Sequence, residues 1–140
     1  MTQVFRVRAM QLSKFTDYAF RALIYLARNR DKRCTVDELA GTLKTSPHHM
    51  KKVIHKLACS GYVNSCKGRA GGLFLGRAPE KIDLSEVLLL CEENMNLFEC
   101  YGDCCACPLG VRHCKLKSVS RAALQKFIEE FKGKTLCDII

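Results

Sequence analysis

Five cysteines lie close together near the end of the chain: Cys100, Cys104, Cys105, Cys107 and Cys114. Thiolate sulfur binds zinc or the iron of iron–sulfur clusters, and the spacing of the cysteines helps to separate these two cases. Structural zinc sites usually combine two close cysteine pairs, whereas this segment offers at most one. Six residues separate the first from the fourth of these cysteines, and six separate the fourth from the fifth. This spacing favours three ligands around a cluster, with a fourth ligand from elsewhere.

The other five of the ten cysteines are dispersed, namely Cys34, Cys59, Cys66, Cys91 and Cys137. Isolated thiols of this kind usually behave as small buried apolar residues. A disulfide framework would require an oxidising compartment. The N-terminus has no apolar signal-peptide core, and no run of about 18 apolar residues could span a membrane. We therefore predict a cytoplasmic protein with reduced thiols and no membrane partner.

The middle of the chain is basic and lacks acidic residues. The net charge of the whole chain is +9, and no Asp or Glu occurs between Glu38 and Glu80. The same stretch contains the basic residues Lys44, Lys51, Lys52, Lys56, Lys67, Arg69 and Arg77. A surface of one sign neutralises nucleic-acid phosphates with release of counterions. Charge alone does not separate DNA from RNA or anionic lipid, so the elements that carry these residues decide.

Three helices and a hairpin are predicted around the basic stretch. Apolar residues recur at helical spacing over residues 13–28, and a capping box at Thr35–Glu38 opens a second, short helix. Ser46-Pro47 is typical of the N-cap and first position of a third helix, which Gly61 ends. Residues 62–75 predict two strands joined by a glycine-rich turn. Two short helices joined by a tight turn and followed by a hairpin are typical of a winged helix-turn-helix.

Recognition helices enter the major groove with their N-terminal residues, and wings reach the neighbouring backbone or minor groove. The candidate DNA contacts are therefore Ser46, His48, His49, Lys51, Lys52, Lys67 and Arg69. Lysine can pair with guanine, and Arg69 is the wing residue best suited to a minor groove or a phosphate. For each lysine taken alone, an ordinary solvated charge is an equally good interpretation.

Two more helices are predicted on either side of the cysteine segment. The first covers residues 83–91 and begins with a capping box of Asp83 and Glu86. The second runs from Lys115 to about Phe131. Its apolar stripe comprises Leu116, Val119, Ala123, Phe127 and Phe131, widened by Leu124 and Ile128. Such a helix either pairs with a second subunit or folds back on its own domain, and we expect a dimer.

These elements predict a mainly α-helical fold with a small β-hairpin, a winged helix-turn-helix followed by a long C-terminal dimerisation helix. Residues 1–9 would be an N-terminal extension, either a flexible arm or a wrongly assigned start. Residues 10–80 would form the DNA-binding domain, and residues 81–140 the cluster-binding loop and dimerisation helix. We find no glycine-rich phosphate loop, paired carboxylates or cofactor fingerprint, and we predict that the chain is not an enzyme.

The sequence resembles the NsrR-type repressors of the Rrf2 superfamily, which also contains IscR. The resemblance extends from residue 10 to about residue 140. It is carried by MQLSKFTDYAFRALIYLA (10–27), GRAGGLFLG (68–76), CPL (107–109), CKLK (114–117) and TLCDI (135–139). IscR-type proteins have a histidine at the position of Lys117, so the NsrR type is the nearer resemblance.

The resemblance implies a dimeric winged-helix regulator with an iron–sulfur cluster between a three-cysteine loop and the DNA-reading domain. It favours a 4Fe-4S cluster over a 2Fe-2S cluster. The implied ligands are Cys100, Cys107, Cys114 and, from the opposite subunit, Asp17, with the extra cysteines Cys104 and Cys105 as alternates. The alternative for Asp17 is a first-turn acid that the helix dipole favours.

The same resemblance implies a repressor of genes that detoxify nitric oxide. It would bind a palindromic double-stranded DNA operator as a homodimer and would lose affinity when nitric oxide reacts with the cluster. Two other interpretations remain. One is an iron–sulfur, zinc- or thiol-based winged-helix regulator that senses cluster, iron or oxidative status. In its zinc or thiol form Cys104 and Cys105 carry the chemistry. The other is an electron-transfer protein, for which the cluster loop alone would suffice.

Overall fold

The computed structural model describes residues 10–98, 107–109 and 114–140. Within these residues the helices are α1 (Lys14–Arg28), α2 (Val36–Thr42), α3 (Pro47–Cys59), α4 (Leu84–Cys91) and α5 (Lys115–Phe131). The strands are β1 (Val63–Cys66) and β2 (Gly72–Leu75), and short 3-10 helices cover Pro79–Lys81 and Leu136–Ile139. The predicted class, mainly α-helical with a small hairpin, is confirmed. The predicted extension and most of the predicted cysteine loop lie outside the described residues.

The first three helices begin where side chains satisfy their unpaired N–H groups. Ser13 precedes α1, and its hydroxyl accepts a hydrogen bond from the N–H of Thr16. Thr35 and Glu38 form the predicted reciprocal capping box at α2. Ser46 caps α3, also as predicted. Each such cap contributes about 1 kcal/mol, because it replaces water at donors that the helix leaves unpaired.

One hydrophobic core joins these helices to the end of the chain. Leu23 of α1, Leu39 of α2 and Met50 of α3 are fully buried in it. Ile82 and Leu136 belong to the same core, and the N–H of Leu136 donates to the carbonyl oxygen of Ile82 at 2.9 Å. Complete burial of an apolar side chain of this size contributes about 1.5–3 kcal/mol. The last residues of the chain therefore help to stabilise the helix-turn-helix.

The wing is a two-stranded antiparallel hairpin in which Val63 lies opposite Leu75. Its turn needs glycine at Gly68, where φ is 102°, a conformation that side chains with a Cβ rarely adopt. The N–H of Leu73 donates to the carbonyl oxygen of Cys34 at 2.7 Å. This bond fixes the hairpin against the connection between α1 and α2.

Only half of the predicted capping box at α4 forms. Asp83 accepts hydrogen bonds from the N–H groups of Ser85 at 2.8 Å and Glu86 at 3.2 Å. The carboxylate of Glu86 instead accepts a bond from the Tyr62 hydroxyl at 3.1 Å. Burial raises the pKa of Tyr62, and the neighbouring carboxylate of Glu86 raises it further. A buried hydroxyl without a partner is costly, so this tertiary bond takes precedence over the local cap.

The long helix α5 is packed on its own chain mainly near its C-terminus. Ser120 is the one side chain of its seventeen residues that is buried. The ring of Phe131 lies 6.3 Å from the ring of Phe20 in α1. Leu116 and Val119 are 56% and 67% exposed, so the N-terminal part of the predicted apolar stripe is uncovered. Among the described residues no helix has the length and apolar composition that a bilayer span requires.

Candidate nucleic-acid interface and metal centre

One side of α3 is buried and the other presents basic and polar side chains. The buried side consists of Met50, Val53, Ile54 and Leu57, as predicted. His48, Lys51, Lys52 and His55 are exposed, and their spacing of three or four residues places them in one row. Burial of the apolar side therefore turns three of the predicted contact residues toward solvent, at the start of the helix that would enter a groove.

Ser46, another predicted contact, is exposed at the start of this row. Its hydroxyl oxygen accepts a hydrogen bond from the N–H of His49 at 3.1 Å, which is the cap of α3. A serine hydroxyl both accepts and donates, so the cap leaves its proton available to a phosphate oxygen.

His49 is turned toward α1, unlike the neighbouring His48. Its ring lies edge-on to the ring of Tyr18 at 5.4 Å and 6.2 Å from the ring of Phe15. Within the described residues its buried Nε2 has no hydrogen-bond partner. Successive helix positions differ by roughly 100°, and two adjacent histidines gave no indication in the sequence of which one faces inward. The DNA contact of His49 stays a prediction, whereas its packing against α1 is a feature of the fold.

The predicted wing contacts, Lys67 and Arg69, are exposed in the turn of the hairpin. Sequence reasoning missed Arg33, which supports that turn. Its guanidinium donates to the carbonyl oxygen of Ala70 and lies 5.9 Å from the centre of the Phe74 ring. Arg33 and Ala70 are 37 positions apart, so no local pattern could have indicated the contact.

Two basic residues of the acid-free stretch interact within the molecule. The Nζ of Lys56 lies 3.3 Å from the carboxylate of Glu93. Arg77 donates to the carbonyl oxygen of Ser60 at 2.9 Å, and its guanidinium lies 4.6 Å from the centre of the Tyr62 ring. Both side chains are therefore engaged within the molecule, and Arg77 stays exposed nonetheless. Lys51 and Lys52 of α3 and Lys67 and Arg69 of the wing are exposed as well.

Of the predicted cysteine ligands, Cys107 and Cys114 lie in the described part of the chain, and both are half-buried. Cys100 and the alternates Cys104 and Cys105 fall outside it. In residues 10–98, 107–109 and 114–140, no three His, Cys, Asp or Glu side chains converge as a metal site would require.

Cys114 is the N-cap of α5. The first turn of that helix contains no acidic residue and carries Lys115 and Lys117. The N-terminus of a helix is the positive end of its dipole and favours negative charge nearby. Metal-bound cysteines are thiolates, so the charge at this end of α5 fits a thiolate-ligated metal group.

Asp17 lies on the exposed side of the first turn of α1. Its Oδ1 accepts a hydrogen bond from Nε of Arg21 at 2.9 Å, and this bond raises the pKa of Arg21. An exposed ion pair one helical turn apart contributes only about 0.3–0.5 kcal/mol. The carboxylate can therefore leave the pair at little cost, and its role as a ligand stays a prediction.

A hydrogen-bond network that the sequence did not reveal joins α1 to the residue that follows α4, eight positions before Cys100. Glu92 follows α4 directly, and its Oε2 accepts bonds from the Thr16 hydroxyl at 2.7 Å and the Ser13 N–H at 2.9 Å. Burial by itself raises the pKa of Glu92, but these bonds outweigh it and leave the pKa below its ordinary value. The partners are 76 and 79 positions apart, which is why no short-range motif indicated them.

The dispersed cysteines divide into two groups. Cys34 and Cys91 are buried as predicted, and burial raises the pKa of both thiols, that of Cys91 to about 11. The expectation of burial is wrong for Cys59, Cys66 and Cys137, which are exposed. Cys59 falls on the exposed row of α3, because the apolar neighbours that suggested burial lie on the other side of the helix.

Known proteins match nearly the whole chain. The model of the Rrf2 family, described as an iron-dependent transcriptional regulator, matches residues 12–140. The chain is 38% identical over 136 residues to the HTH-type transcriptional regulator NsrR of Bacillus licheniformis, which covers 94% of this chain and 92% of that protein. It is 35% identical over 136 residues to the NsrR of Bacillus subtilis, with coverage of 94% and 90%.

Solved structures agree with the fold. IscR of T. potens superimposes with a TM-score of 0.73 at 21% identity, covering 94% of this chain and 86% of that one. CymR, the global cysteine regulator of B. subtilis, gives a TM-score of 0.69 at 20% identity, covering 94% and 96%. The curated relatives bear the names of transcriptional regulators and not of enzymes, in agreement with the sequence-based expectation. This chain belongs to the Rrf2 family of transcriptional regulators.

Proposed function

We propose that this chain is a DNA-binding repressor whose operator affinity is controlled by an iron–sulfur cluster that responds to nitric oxide. The observation that carries the proposal is the exposed basic row of α3 beside an exposed basic wing turn, in a chain whose curated relatives are named NsrR. A helix-turn-helix with such a surface fits duplex DNA, because one element suits the major groove and the other the adjacent backbone.

The proposed DNA contacts have different tasks. His48, Lys51 and Lys52 would meet base edges or phosphates in the major groove, and Ser46 a phosphate at the helix start. The wing residues Lys67 and Arg69 would reach a phosphate or the minor groove. Each phosphate contact releases counterions, so operator binding should weaken steeply with salt.

We infer a homodimer formed through α5. Leu116 and Val119 are uncovered, and an apolar groove of about 490 Å³ lies beside the helix. Its lining includes Met10, Leu12, Met95, Leu97, Leu124 and Phe127. A second copy would cover these apolar surfaces. It would also place two recognition helices about 34 Å apart, which is the spacing that a palindromic operator requires. We propose that this dimer acts in the cytoplasm.

The proposed cluster is of the 4Fe-4S type. Its ligands would be Cys100, Cys107 and Cys114, together with the partner subunit's Asp17. When bound, it would supply iron with which nitric oxide reacts. The half-buried Cys107 and Cys114 would limit access of water, and the N-terminus of α5 would offset the charge of the thiolates. Asp17 would exchange its exposed pairing with Arg21 for the link between subunits.

In the proposed repressor, that link fixes the distance between the paired recognition helices. Its release leaves the two subunits free to adopt other separations, which fit successive major grooves less well. Couplings between two sites are typically about 1–3 kcal/mol, so we expect the cluster to change operator affinity by roughly 5–150-fold.

The test is a nitric oxide titration of protein purified without oxygen, with iron, sulfide, absorption spectrum and DNA binding measured on the same samples. We expect cluster loss and loss of DNA affinity to follow one curve. A cluster indifferent to nitric oxide would instead indicate a regulator of iron or redox status. Zinc without iron would indicate the thiol- or zinc-based regulator, and absence of sequence-specific DNA binding would favour electron transfer.

A further inference from the structure

Three consecutive residues in the first turn of α1 have three different surroundings. Asp17 is exposed and is the proposed cluster ligand. Thr16 is fully buried, and its hydroxyl donates to Glu92 at 2.7 Å. Phe15 is half-buried and packs against His49 of α3. A single helical turn thereby touches the residue that follows α4 and the recognition helix at the same time.

The contact on the side of the cysteine segment is a closed network. Oε2 of Glu92 accepts hydrogen bonds from the Thr16 hydroxyl and from the Ser13 N–H at 2.9 Å. The hydroxyl oxygens of Ser13 and Thr16 lie 3.1 Å apart. Hydrogen bonds to a charged acceptor are stronger than neutral ones, and partial burial strengthens them further. The chain runs from Glu92 toward Cys100, so a displacement that reaches Glu92 acts on the cap of α1.

The contact on the side of α3 depends on ring packing. Phe15 and Tyr18 of α1 hold the ring of His49 at centroid distances of 6.2 Å and 5.4 Å. The Nζ of Lys56, two turns further along α3, lies 5.8 Å from the centre of the Phe15 ring. Closely packed side chains transmit displacements because the interior has little free volume. A shift of the first turn of α1 therefore moves the surface on which the N-terminal half of α3 rests.

We propose that Thr16 and Glu92 are positioning residues through which the first turn of α1 transmits the state of the cysteine segment to α3, by way of Phe15 and His49. This inference rests on the proposed function, because it requires that the cluster controls DNA affinity. It adds a route within one chain to the link between subunits through Asp17.

A purely structural role for this network predicts a different result. Loss of a cap that only stabilises the fold lowers the unfolding temperature and leaves the ratio of the two DNA affinities, with and without cluster, unchanged. A positioning role lowers that ratio while the iron content stays the same. The ratio is therefore the main readout, measured on a duplex that the cluster-loaded wild-type protein selects from a random library.

The first variant is Glu92→Ala, with Asp31→Ala as its control. Glu92→Ala removes the acceptor of both bonds, and we expect the affinity ratio to fall by roughly 2–30-fold, the range found for residues that couple two sites. Asp31 is exposed in the connection between α1 and α2 and lies outside the proposed route. Asp31→Ala also removes one carboxylate, and it should keep the wild-type ratio.

A second pair of variants changes the donor. Thr16→Val replaces the buried hydroxyl by a methyl group of similar shape and should lower the ratio as Glu92→Ala does. Thr16→Ser keeps the hydroxyl and should retain most of the wild-type ratio. Amide hydrogen exchange adds a readout that needs no variant, since removal of the cluster from the wild-type protein should speed exchange at residues 13–17.

The outcomes separate the two proposals. A wild-type protein that binds the duplex equally with and without cluster contradicts the proposed function. If the cluster changes the DNA affinity of the wild type, and both Glu92→Ala and Thr16→Val keep the same affinity ratio, the positioning role is overturned and the proposed function stands. Should neither variant retain a cluster, the exchange comparison decides, because unchanged exchange in the first turn of α1 contradicts the proposed route.

Discussion

The helix-turn-helix and the α5 region differ in what completes them. The thirteen residues of α3 bury an entire apolar side against α1, α2 and the strands, and its remaining side is polar. The seventeen residues of α5 bury one side chain and leave apolar residues exposed. The DNA-reading part is thus complete within one chain, whereas the proposed sensing part requires a second subunit and a metal group. This difference suits a sensor of the proposed kind, because the elements that move on ligand binding are generally those with few buried contacts.

The largest effect is expected at Cys114. Cys114→Ala removes a proposed ligand at the N-terminus of α5, and iron and sulfide content after purification without oxygen should fall to background. The helix-turn-helix should remain folded, because its core does not include this residue. Circular dichroism and thermal unfolding would show whether the fold is retained without the cluster.

Cys137→Ala is the matched control for this experiment. Cys137 is exposed in the short helix Leu136–Ile139 and belongs to neither the core nor the proposed ligand set. We expect full iron content in this variant. A Cys114→Ala protein that still holds iron and still responds to nitric oxide contradicts the ligand assignment.

A second prediction concerns the uncovered stripe of α5. Val119→Asp places a carboxylate in the proposed subunit interface, where an unpaired charge costs about 3–5 kcal/mol. Dimerisation should weaken by roughly 150–4000-fold, which sedimentation velocity would show as a shift from dimer to monomer. Operator affinity should fall as well, because two half-sites are no longer bound together.

Gln125→Asp controls for the charge itself, since Gln125 is exposed and lies on the other side of α5. This variant should stay dimeric. A Val119→Asp protein that remains dimeric at the same concentration would mean that α5 is not the subunit interface, and the division between a complete and an incomplete region would then be wrong.

Local sequence signals predicted the fold well. The predicted caps at Thr35 and Ser46 and the apolar periodicity of the helices depend on residues within one or two turns of each other. The capping box of α4 failed in part because the outcome depended on Tyr62, a residue 24 positions before Glu86. Short-range patterns hold only where no buried group competes for the same atom.

The candidate site was predicted less completely. The basic residues could be counted from the sequence. The sequence did not show which of them face solvent and which pack against the molecule. His49 faces α1 and Arg77 binds the carbonyl oxygen of Ser60, whereas Lys51 and Lys52 are exposed. The network of Glu92 was missed altogether, because it joins positions that approach each other only after the core has formed.

The smallest effect is expected where the two regions meet, at Asp83. One carboxylate oxygen of Asp83 caps α4, and the other accepts a hydrogen bond from the N–H of Gly133, just after α5, at 3.0 Å. Asp83→Ala removes both bonds and should lower the free energy of unfolding by about 2–3 kcal/mol. Asp83→Asn keeps an oxygen for the cap but cannot accept from Gly133, so we expect a loss of about 1 kcal/mol.

Unfolding measurements at acidic pH separate the contribution of the Asp83 charge from that of its shape. Burial raises its pKa, but the hydrogen bonds from Ser85, Gly133 and Glu86 outweigh burial and lower the pKa below its ordinary value of 3.8. A carboxyl whose pKa is lower in the folded state stabilises the protein above its unfolded pKa, and this contribution is lost as the pH falls through the folded value. The difference in urea midpoint between wild type and Asp83→Asn should therefore be constant near neutral pH and shrink below about pH 4. A difference that persists unchanged in acid would show that the tie between α4 and the end of α5 does not depend on the carboxylate charge.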